Sequence, residues 1–177
     1  MYAIRQEVPS DYRNTEEVIK SAFANVEISD KKEHELVSRL RNSKAFIPEL
    51  SLIAVHQETH EILGHILLSR IEIKNGHSSV GSLALAPVSV LPEYQNQGIG
   101  KLLIERSLTI AKNIGFHSVV VLGHPTYYPK LGFKPSSQWG ITPPFDVAKE
   151  YFMALELEEG ALENVYGTVE YSRAFFE

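Results

Sequence analysis

A pair of glycines between an apolar segment and a helix-like segment constrains the fold most strongly. Gly98 and Gly100 follow the stretch LALAPVSVL at residues 83–91 and precede KLLIERSLTIAKNI at residues 101–114. The first stretch is apolar and rich in β-branched residues, which predicts a strand, whereas the second has the apolar spacing of a helix. The two glycines therefore lie at a turn from a strand into a helix.

This turn has the features of an anion-binding site. The first turn of a helix has N–H groups without intrahelical partners, and it carries the positive end of the helix dipole. Glycines at positions 98 and 100 remove the Cβ atoms that would obstruct an approaching phosphate, while Lys101 adds a cation nearby. The simpler alternative is a tight turn that binds nothing.

The common nucleotide motifs do not fit this turn. A dinucleotide fingerprint would need a third glycine where Leu103 stands. A P-loop would need glycine in place of Gln95 and Ser or Thr in place of Leu102. Taken alone, the residues predict a site for a phosphate-bearing ligand and go no further.

The rest of the chain predicts an α/β domain with a mixed sheet. Amphipathic helices are predicted at residues 11–23 and 30–42, and a short helix at 126–132. Strands are predicted at residues 3–8, 49–57, 62–74, 117–123, 151–158 and 168–176, with the second and third forming an antiparallel hairpin. The buried face of the helix after the glycines is expected to contain Leu103, Ile110, Ala111 and Ile114, with Gly115 as its C-terminal cap.

Length and composition fit a single domain over residues 1–177. The chain has no cysteine, which excludes disulfides and cysteine-based zinc sites, and no metal site is predicted. A net charge of -5 argues against general nucleic-acid binding. No apolar run is long enough for a membrane span and the N-terminus lacks an apolar signal region, so a cytoplasmic protein is expected.

Two segments resemble signatures of the GNAT superfamily of N-acetyltransferases. VSVLPEYQNQGIGKLLI at residues 88–104 resembles its acetyl-CoA pyrophosphate motif, Gln/Arg-x-x-Gly-x-Gly/Ala, through Gln95, Gly98 and Gly100. YYPKLGF at residues 127–133 resembles the second signature. The tail FMALELEEGAL is similar to an uncharacterised bacterial subgroup, although the resemblance is specific only from about residue 83 to 135.

The resemblance implies a fold and a cosubstrate. The fold would be a mostly antiparallel, twisted sheet of six to seven strands, flanked by about four helices, with a splayed central pair of parallel strands and C-terminal strands within 151–176. Pro87 is compatible with a bulge at that opening. Acetyl-CoA would contact the pantetheine-binding strand residues Val88, Ser89 and Val90, and the pyrophosphate-binding loop residues Gln95, Asn96, Gln97, Gly98, Ile99, Gly100 and Lys101.

The resemblance also implies catalytic residues. Tyr128, four residues before Gly132, matches the general acid of the family, and Tyr127 matches its aromatic neighbour. A free thiol has a pKa of about 8.5 and a tyrosine about 10, so a tyrosine can protonate the departing thiolate at modest cost. The backbone N–H of Val90 is the candidate for stabilising the oxyanion. The alternative for Tyr128 is a packing role.

The general base is less well defined, because the central strand lacks the glutamate that many members carry. His124, just after the predicted strand at 117–123, can take up a proton near neutral pH. Glu72 and a base acting through water are the alternatives.

The sequence therefore predicts an enzyme that transfers an acetyl group from acetyl-CoA to a primary amine of a small molecule, protein or peptide. The alternative is a non-catalytic module that binds CoA or acyl-CoA, and a nucleotide-binding regulator is disfavoured by the failed fingerprints. The acceptor pocket is expected between the N-terminal helices and C-terminal strands, with Trp139 and the GITPPFD loop as candidate walls. Neither nucleic acid nor a membrane is an expected partner, and a homodimer is left open.

Overall fold

The computed structural model describes residues 1–176 and contains nine strands and three α-helices in that range. The strands are β1 (Tyr2–Gln6), β2 (Ser51–His56), β3 (Ile62–Asn75), β4 (Ser78–Val90), β5 (Ser118–Leu122), β6 (Lys134–Pro135), β7 (Ile141–Thr142), β8 (Phe152–Glu156) and β9 (Gly167–Glu170). The helices are α1 (Tyr12–Phe23), α2 (Glu33–Arg41) and α3 (Ile99–Asn113).

All nine strands form one sheet with the main order β1-β2-β3-β4-β5-β8-β6. The strand β9 pairs with β3 and with β7 beside this path. Neighbouring strands are antiparallel except for two parallel pairs, β4–β5 and β7–β9. The predicted mixed, mostly antiparallel sheet is thus confirmed, and its seven longer strands agree with the expected number.

The helical part differs from the prediction in one element. Three α-helices lie within the described residues instead of about four, because the expected short helix is a 3₁₀ helix at Tyr128–Leu131. Gly132, at φ +98°, ends it in the left-handed conformation that glycine adopts readily.

The last predicted strand, at residues 168–176, is wrong in its second half. The strand β9 ends at Glu170, and a 3₁₀ helix follows at Arg173–Phe175. The Ser172 side chain accepts a hydrogen bond from the backbone N–H of Ala174, which satisfies one amide of that turn. An apolar, β-branched composition cannot distinguish such a capped turn from a continuing strand.

The helix α3 begins earlier than predicted and buries a slightly different face. It starts at Ile99, and Leu103 and Ala111 are fully buried as expected. Ile114 is 42% exposed because the helix ends just before it, so its predicted place on the buried face is wrong. Gly115 has a φ of +106° and follows the helix end as the predicted cap.

The sheet has helices on both faces. On one face, α3 packs through Leu103 and Ile104 against Leu83 and Leu85 of β4. On the other face, α1 and α2 form a separate apolar cluster with Leu67 of β3. We call these the α3 face and the α1/α2 face.

Between the two faces, the central strands separate. The strand β4 pairs with β5 only at Leu83–Val119 and Ala84–Val120. The β3–β4 register shifts at Ala86–Pro87, whose peptide bond is cis, so the bulge expected at Pro87 is present. Beyond Ala84 the two parallel strands diverge and leave a cleft, which confirms the predicted splayed pair.

The helices of the described range include none with the length and apolar character of a membrane span.

Candidate active site

The N-terminus of α3 is open toward the cleft. Gly98 precedes the helix at φ +86°, and the first helical bond runs from the N–H of Leu102 to the carbonyl of Gly98. The N–H groups of Ile99, Gly100 and Lys101 therefore lie in the first turn without a helical acceptor, and no side chain caps them. Such a turn favours an anion through both hydrogen bonding and the helix dipole.

A cavity of about 400 Å³ lies in front of these amides. It is lined by Val90, Tyr94, Gln95, Asn96, Gly98, Ile99, Gly100, Lys101 and Tyr127. Gln97 is the one predicted loop residue outside this lining, and its Nε2 lies 3.4 Å from the carbonyl oxygen of Glu93. The seven predicted loop residues thus form one continuous turn, of which six line the cavity.

The strand edge beside this cavity presents backbone groups without partners. The N–H of Leu91 donates to the carbonyl of Leu63, which fixes the hydrogen-bonding register of β4 against β3. Because bonding directions alternate along an antiparallel strand, the N–H groups of Val88 and Val90 point away from β3. Strand β5 does not pair with them, although the carbonyl of Val90 accepts a hydrogen bond from Gln95 Nε2 at 3.0 Å.

Ser89 is placed differently from its two neighbours. It lies opposite His65 of β3, in the register that directs its backbone groups toward that strand. Its side chain is buried, and the Oγ has no hydrogen-bond partner within residues 1–176. Of the three predicted strand residues, Val88 and Val90 therefore present free N–H groups to the cleft.

Tyr128 is a buried tyrosine beside the end of β5, and it is not among the residues that line the cavity at the glycine turn. It is 8% exposed and packs edge-to-face against the rings of Tyr127 and Phe133. Burial, with a smaller contribution from Tyr127, raises the pKa of Tyr128 to about 12. This raised pKa keeps the hydroxyl protonated at neutral pH.

Gly123 holds this tyrosine in place, a role that the sequence analysis did not identify. A Cβ atom at position 123 would lie 2.3 Å from Cε2 of the Tyr128 ring, which is too close for any side chain. Gly123 directly follows β5, so the ring packs against the end of the diverging strand. The only sequence signal was a glycine between the strand and the YYPKLGF segment.

The two candidate bases lie away from the cleft. His124 is exposed, and its Nδ1 lies 2.8 Å from Thr126 Oγ1 and accepts the Thr126 backbone N–H at 3.3 Å. Glu72 lies on β3 with a carboxylate oxygen 3.8 Å from Lys74 Nζ. Neither side chain lines the cavity at the splay of β4 and β5.

A second cavity, of about 250 Å³, opens on the α1/α2 face of the splay. Its strand walls are Ala84, Leu85, Ala86, Val120, Val121 and Leu122. Its other walls are Leu36 of α2 and four aromatic residues, Phe145, Tyr171, Phe175 and Phe176. We call this the aromatic cavity.

The position of the aromatic cavity agrees in part with expectation. Of the N-terminal helices only α2 contributes, through Leu36, and the C-terminal segment contributes residues that follow β9 instead of strand residues. Phe145 belongs to the GITPPFD loop. Trp139 instead packs against the apolar cluster around Ile141. The cleft thus has the glycine turn on one side and a pocket on the other.

A buried ionic cluster lies on the same face, behind β3. Arg41 Nη2 is 2.8 Å from Glu7 Oε2, and Arg41 Nη1 is 2.7 Å from Glu16 Oε2. Ser51 Oγ donates to Glu7 Oε1 at 2.7 Å and lies 3.0 Å from His65 Nε2. The cluster links α1, α2, the strands β2 and β3, and Glu7, which directly follows β1, through side chains.

His65 is neutral within this cluster. Because Ser51 gives its proton to Glu7, the Ser51 oxygen accepts from His65 Nε2–H, and His65 Nδ1 has no partner in the described structure. Burial lowers the pKa of His65 to about 4, an effect partly opposed by Glu7 and reinforced by Arg41. Protonation of His65 would add a charged N–H donor at Nδ1, where the described residues offer no acceptor.

The described residues contain no group of three or more His, Cys, Asp or Glu side chains that could hold a metal ion.

Comparison with known proteins assigns the class. The profile of the acetyltransferase (GNAT) family matches residues 12–133, which include both signatures and the splayed strands. The chain belongs to the acetyltransferase (GNAT) family. The family and the enzyme class predicted from the sequence are thereby confirmed.

Individual relatives support the same class. An uncharacterised N-acetyltransferase of Escherichia coli K12, YjhQ, is 37% identical over 121 residues, which are 68% of this chain and 66% of YjhQ. A second one from the same strain, YhbS, is 27% identical over 97% of each chain.

Two solved structures are similar along nearly the whole chain. The crystal structure of E. coli YhbS in complex with CoA has a TM-score of 0.89 and 25% identity, covering 99% of this chain and 92% of that one. A GNAT acetyltransferase from Brucella melitensis in complex with acetyl-CoA has a TM-score of 0.80 and 36% identity, covering 99% and 98%. The predicted fold is confirmed by these similarities.

Proposed function

We propose that this chain transfers the acetyl group of acetyl-CoA to a primary amine by direct attack of the amine on the thioester. The proposal rests on one observation: two sets of unpaired backbone N–H groups lie next to each other at one cleft. The free edge at Val88 and Val90 leads directly to the uncapped first turn of α3. A long ligand with amides and a diphosphate matches that sequence of groups.

The donor side is assigned from these groups. The diphosphate belongs at the N–H groups of Ile99, Gly100 and Lys101, where the helix dipole favours negative charge. The pantetheine amides belong along Val88 and Val90, which offer hydrogen bonds as the edge of a sheet does to an added strand. The similar structures that contain CoA and acetyl-CoA support this choice of donor.

The acceptor side is assigned to the aromatic cavity. It opens at the same splay from the α1/α2 face, with Ala86 and Leu122 on its two strand walls. An amine held there approaches the thioester from the side opposite the helix α3.

The reaction balances without a further reactant. The nitrogen lone pair attacks the thioester carbonyl carbon, the C–N bond forms, and the C–S bond breaks. The thiolate takes a proton from Tyr128, and the proton lost by the nitrogen returns to solvent and restores the tyrosine. The N–H of Val90, the candidate oxyanion donor from the sequence, lies beside the glycine turn, so it is assigned to the pantetheine arm and not to the oxyanion.

Tyr128 fits the role of general acid by position and by protonation state. A pKa of about 12 keeps it protonated throughout the neutral range. The raised pKa also makes Tyr128 a weaker acid, and burial of the departing thiolate at the same place opposes this cost by raising the pKa of the thiol.

The proton of the amine is assigned to water, because neither predicted base lines the cavity at the splay. His124 is exposed near the end of β5, and its Nδ1 accepts a hydrogen bond from the Thr126 backbone N–H. Glu72 is paired with Lys74 and is the weaker candidate.

The proposal places the enzyme in the cytoplasm, where acetyl-CoA is available.

A screen of primary amines with acetyl-CoA tests the function, with thiol release and product mass as the two measurements. In parallel, CoA and acetyl-CoA are expected to raise the melting temperature, whereas NAD and ATP at equal concentration are not. Binding of CoA without acetylation of any amine would favour the non-catalytic module. Stabilisation by NAD but not by CoA would overturn the donor assignment.

A further inference from the structure

The geometry points to an acceptor that carries its primary amine on an apolar, ring-sized body without a second charge. This inference rests on the proposed function and adds the chemical class of the acceptor. It depends on the walls, the size and the protonation chemistry of the aromatic cavity.

The side chains that line the aromatic cavity are apolar with one exception. None of the described ones is charged at neutral pH, and the one polar group among them is the Tyr171 hydroxyl. Tyr171 stacks on Phe145 at 6.2 Å between ring centroids and meets Phe175 edge-to-face at 4.8 Å. A second ammonium group on the acceptor would be desolvated here, and none of the lining residues among 1–176 offers a carboxylate to pair with it.

The mouth of the cavity is apolar as well. Leu122 is 49% exposed, Phe145 37% and Phe176 69%. Large apolar side chains that surround a concave site and face water indicate a surface that an apolar ligand covers.

The volume limits the size of the acceptor. An engineered apolar cavity of about 150 Å³ holds a benzene molecule. The 250 Å³ measured here accommodates one ring with an arm of two or three atoms. A polyamine or a sugar would fit poorly, because both need polar partners that these walls lack.

A mainly apolar pocket also bears on the missing general base. Burial disfavours the charged form of an amine and lowers its pKa, so an ammonium group that enters the cavity tends to lose its proton to water before attack. This effect explains how the site can deprotonate an amine although no described side chain at the splay is a carboxylate. It also favours acceptors that stay bound through apolar contacts after the amine has become neutral.

A polar cavity adjoins the aromatic one, and it would suit a different acceptor, a peptide. It shares Leu36, Phe175 and Phe176 with the aromatic cavity and is lined beyond them by charged residues that include Asp30 and Glu35. A peptide acceptor would extend into it. The experiment therefore includes a peptide.

The test compares 2-phenylethylamine, 1,4-diaminobutane, spermidine and a polar hexapeptide with a free N-terminus, each with acetyl-CoA. We expect kcat/KM for 2-phenylethylamine to exceed the other values at least tenfold. Binding of 2-phenylethylamine to the CoA complex, measured by calorimetry, gives a readout that does not depend on turnover. Preference for the diamine, spermidine or the peptide would overturn the inference.

The variant Leu122→Glu places a carboxylate at the wall of the cavity, and Leu122→Gln is its uncharged, nearly isosteric control. Leu122 is half exposed, so both variants are expected to fold. Leu122→Glu should shift the ratio of kcat/KM for 1,4-diaminobutane over 2-phenylethylamine at least tenfold beyond the shift in Leu122→Gln. An equal ratio in the two variants would overturn the inference.

The two levels of the proposal fail differently. If CoA binds and 2-phenylethylamine neither binds nor reacts, the acceptor class is wrong and the donor assignment stands. If CoA does not bind, both are overturned.

Discussion

One cleft opens on both faces of the sheet, but the two faces contribute different kinds of groups to it. On the α3 face, the proposed donor site consists of backbone N–H groups at Val88, Val90 and the first turn of α3. On the α1/α2 face, the pocket consists of side chains from α2, the loop before β8 and the segment after β9. A site made of backbone needs only particular conformations, whereas a site made of side chains can change with every substitution.

This difference explains why a donor can be common to a family while acceptors vary. The proposed contacts at the glycine turn come from backbone N–H groups, so they depend little on the side chains around the turn. Each aromatic wall of the pocket, in contrast, decides what fits. Substitutions on the two faces should have separate effects. The largest concerns Tyr128, the proposed general acid.

The largest effect is expected for Tyr128→Phe, which should lower kcat by roughly 10²–10⁴-fold, the usual contribution of a positioned general acid. The ring is kept, so folding and CoA affinity should change little, with affinity within about threefold. Pre-steady-state acetyl transfer and calorimetry measure the two quantities. Tyr127→Phe is the matched control and should retain most activity, since Tyr127 lines the donor cavity instead of the buried position.

A parent-like rate for Tyr128→Phe under conditions where chemistry limits would make Tyr128 a packing residue. Gly123→Ala offers an independent route, because its Cβ must displace the same ring without removing the hydroxyl.

The second effect concerns stability and the α1/α2 face alone. The unfolded chain protonates its histidine near pH 6.5, whereas native His65 stays neutral until about pH 4. Between these values the unfolded state binds more protons, so the free energy of unfolding falls as the pH falls, by about 3 kcal/mol in total. Urea unfolding between pH 7 and pH 4 measures this slope.

The variant His65→Gln can keep a donor for Ser51 and should flatten that slope, while His77→Gln, at an exposed loop position, should leave it unchanged. A slope that persists in His65→Gln would assign the acid sensitivity to the carboxylates.

The third effect is confined to the donor side. Gly100→Val should weaken CoA binding at least tenfold, or ~1.4 kcal/mol, because the new side chain obstructs the first turn of α3. Its Cβ lies an ordinary 3.7 Å from Val90 Cγ2, so the free protein should fold. Gly98→Val is less informative, since valine at φ +86° adds backbone strain. Calorimetry with CoA measures the loss, and Gly81→Val, where nothing lies within 4 Å of the Cβ, is the control. Unchanged affinity in Gly100→Val would remove the donor site from this turn.

The smallest effect is expected for Ser89→Ala. Its buried hydroxyl has no partner in the described structure, so removing it should leave the free energy of unfolding unchanged or raise it by up to about 1 kcal/mol. CoA affinity should stay within twofold, because the neighbouring residues are assigned to the donor through their backbone. A tenfold loss of affinity would show that the hydroxyl itself contacts the donor.

The sequence predicted the donor side better than the acceptor side for physical reasons. Glycines at a strand-to-helix turn report a local conformation, so the loop at Gln95 to Lys101 could be located without tertiary information. Phe145, Tyr171 and Phe175 are far apart in sequence and meet only through the path of the chain, and the composition of residues 168–176 even indicated a strand there. Gly123 was missed because its constraint comes from a ring five residues away, which no local pattern encodes.

The two hydrogen-bonded positions that join β4 to β5 have a mechanical consequence. The sheet is effectively two plates, one containing β1–β4 with β9 and β7, the other β5, β8 and β6, and the ladder between them consists of Leu83–Val119 and Ala84–Val120. An extended ligand along Val88 and Val90 fills the open part of that seam as a surrogate strand. Donor binding should therefore slow amide hydrogen exchange in β5 and β8, although its assigned hydrogen bonds are on the other plate. In this binding mode the cosubstrate joins β4 to β5 during each turnover, and its release leaves the two strands joined only by their short ladder.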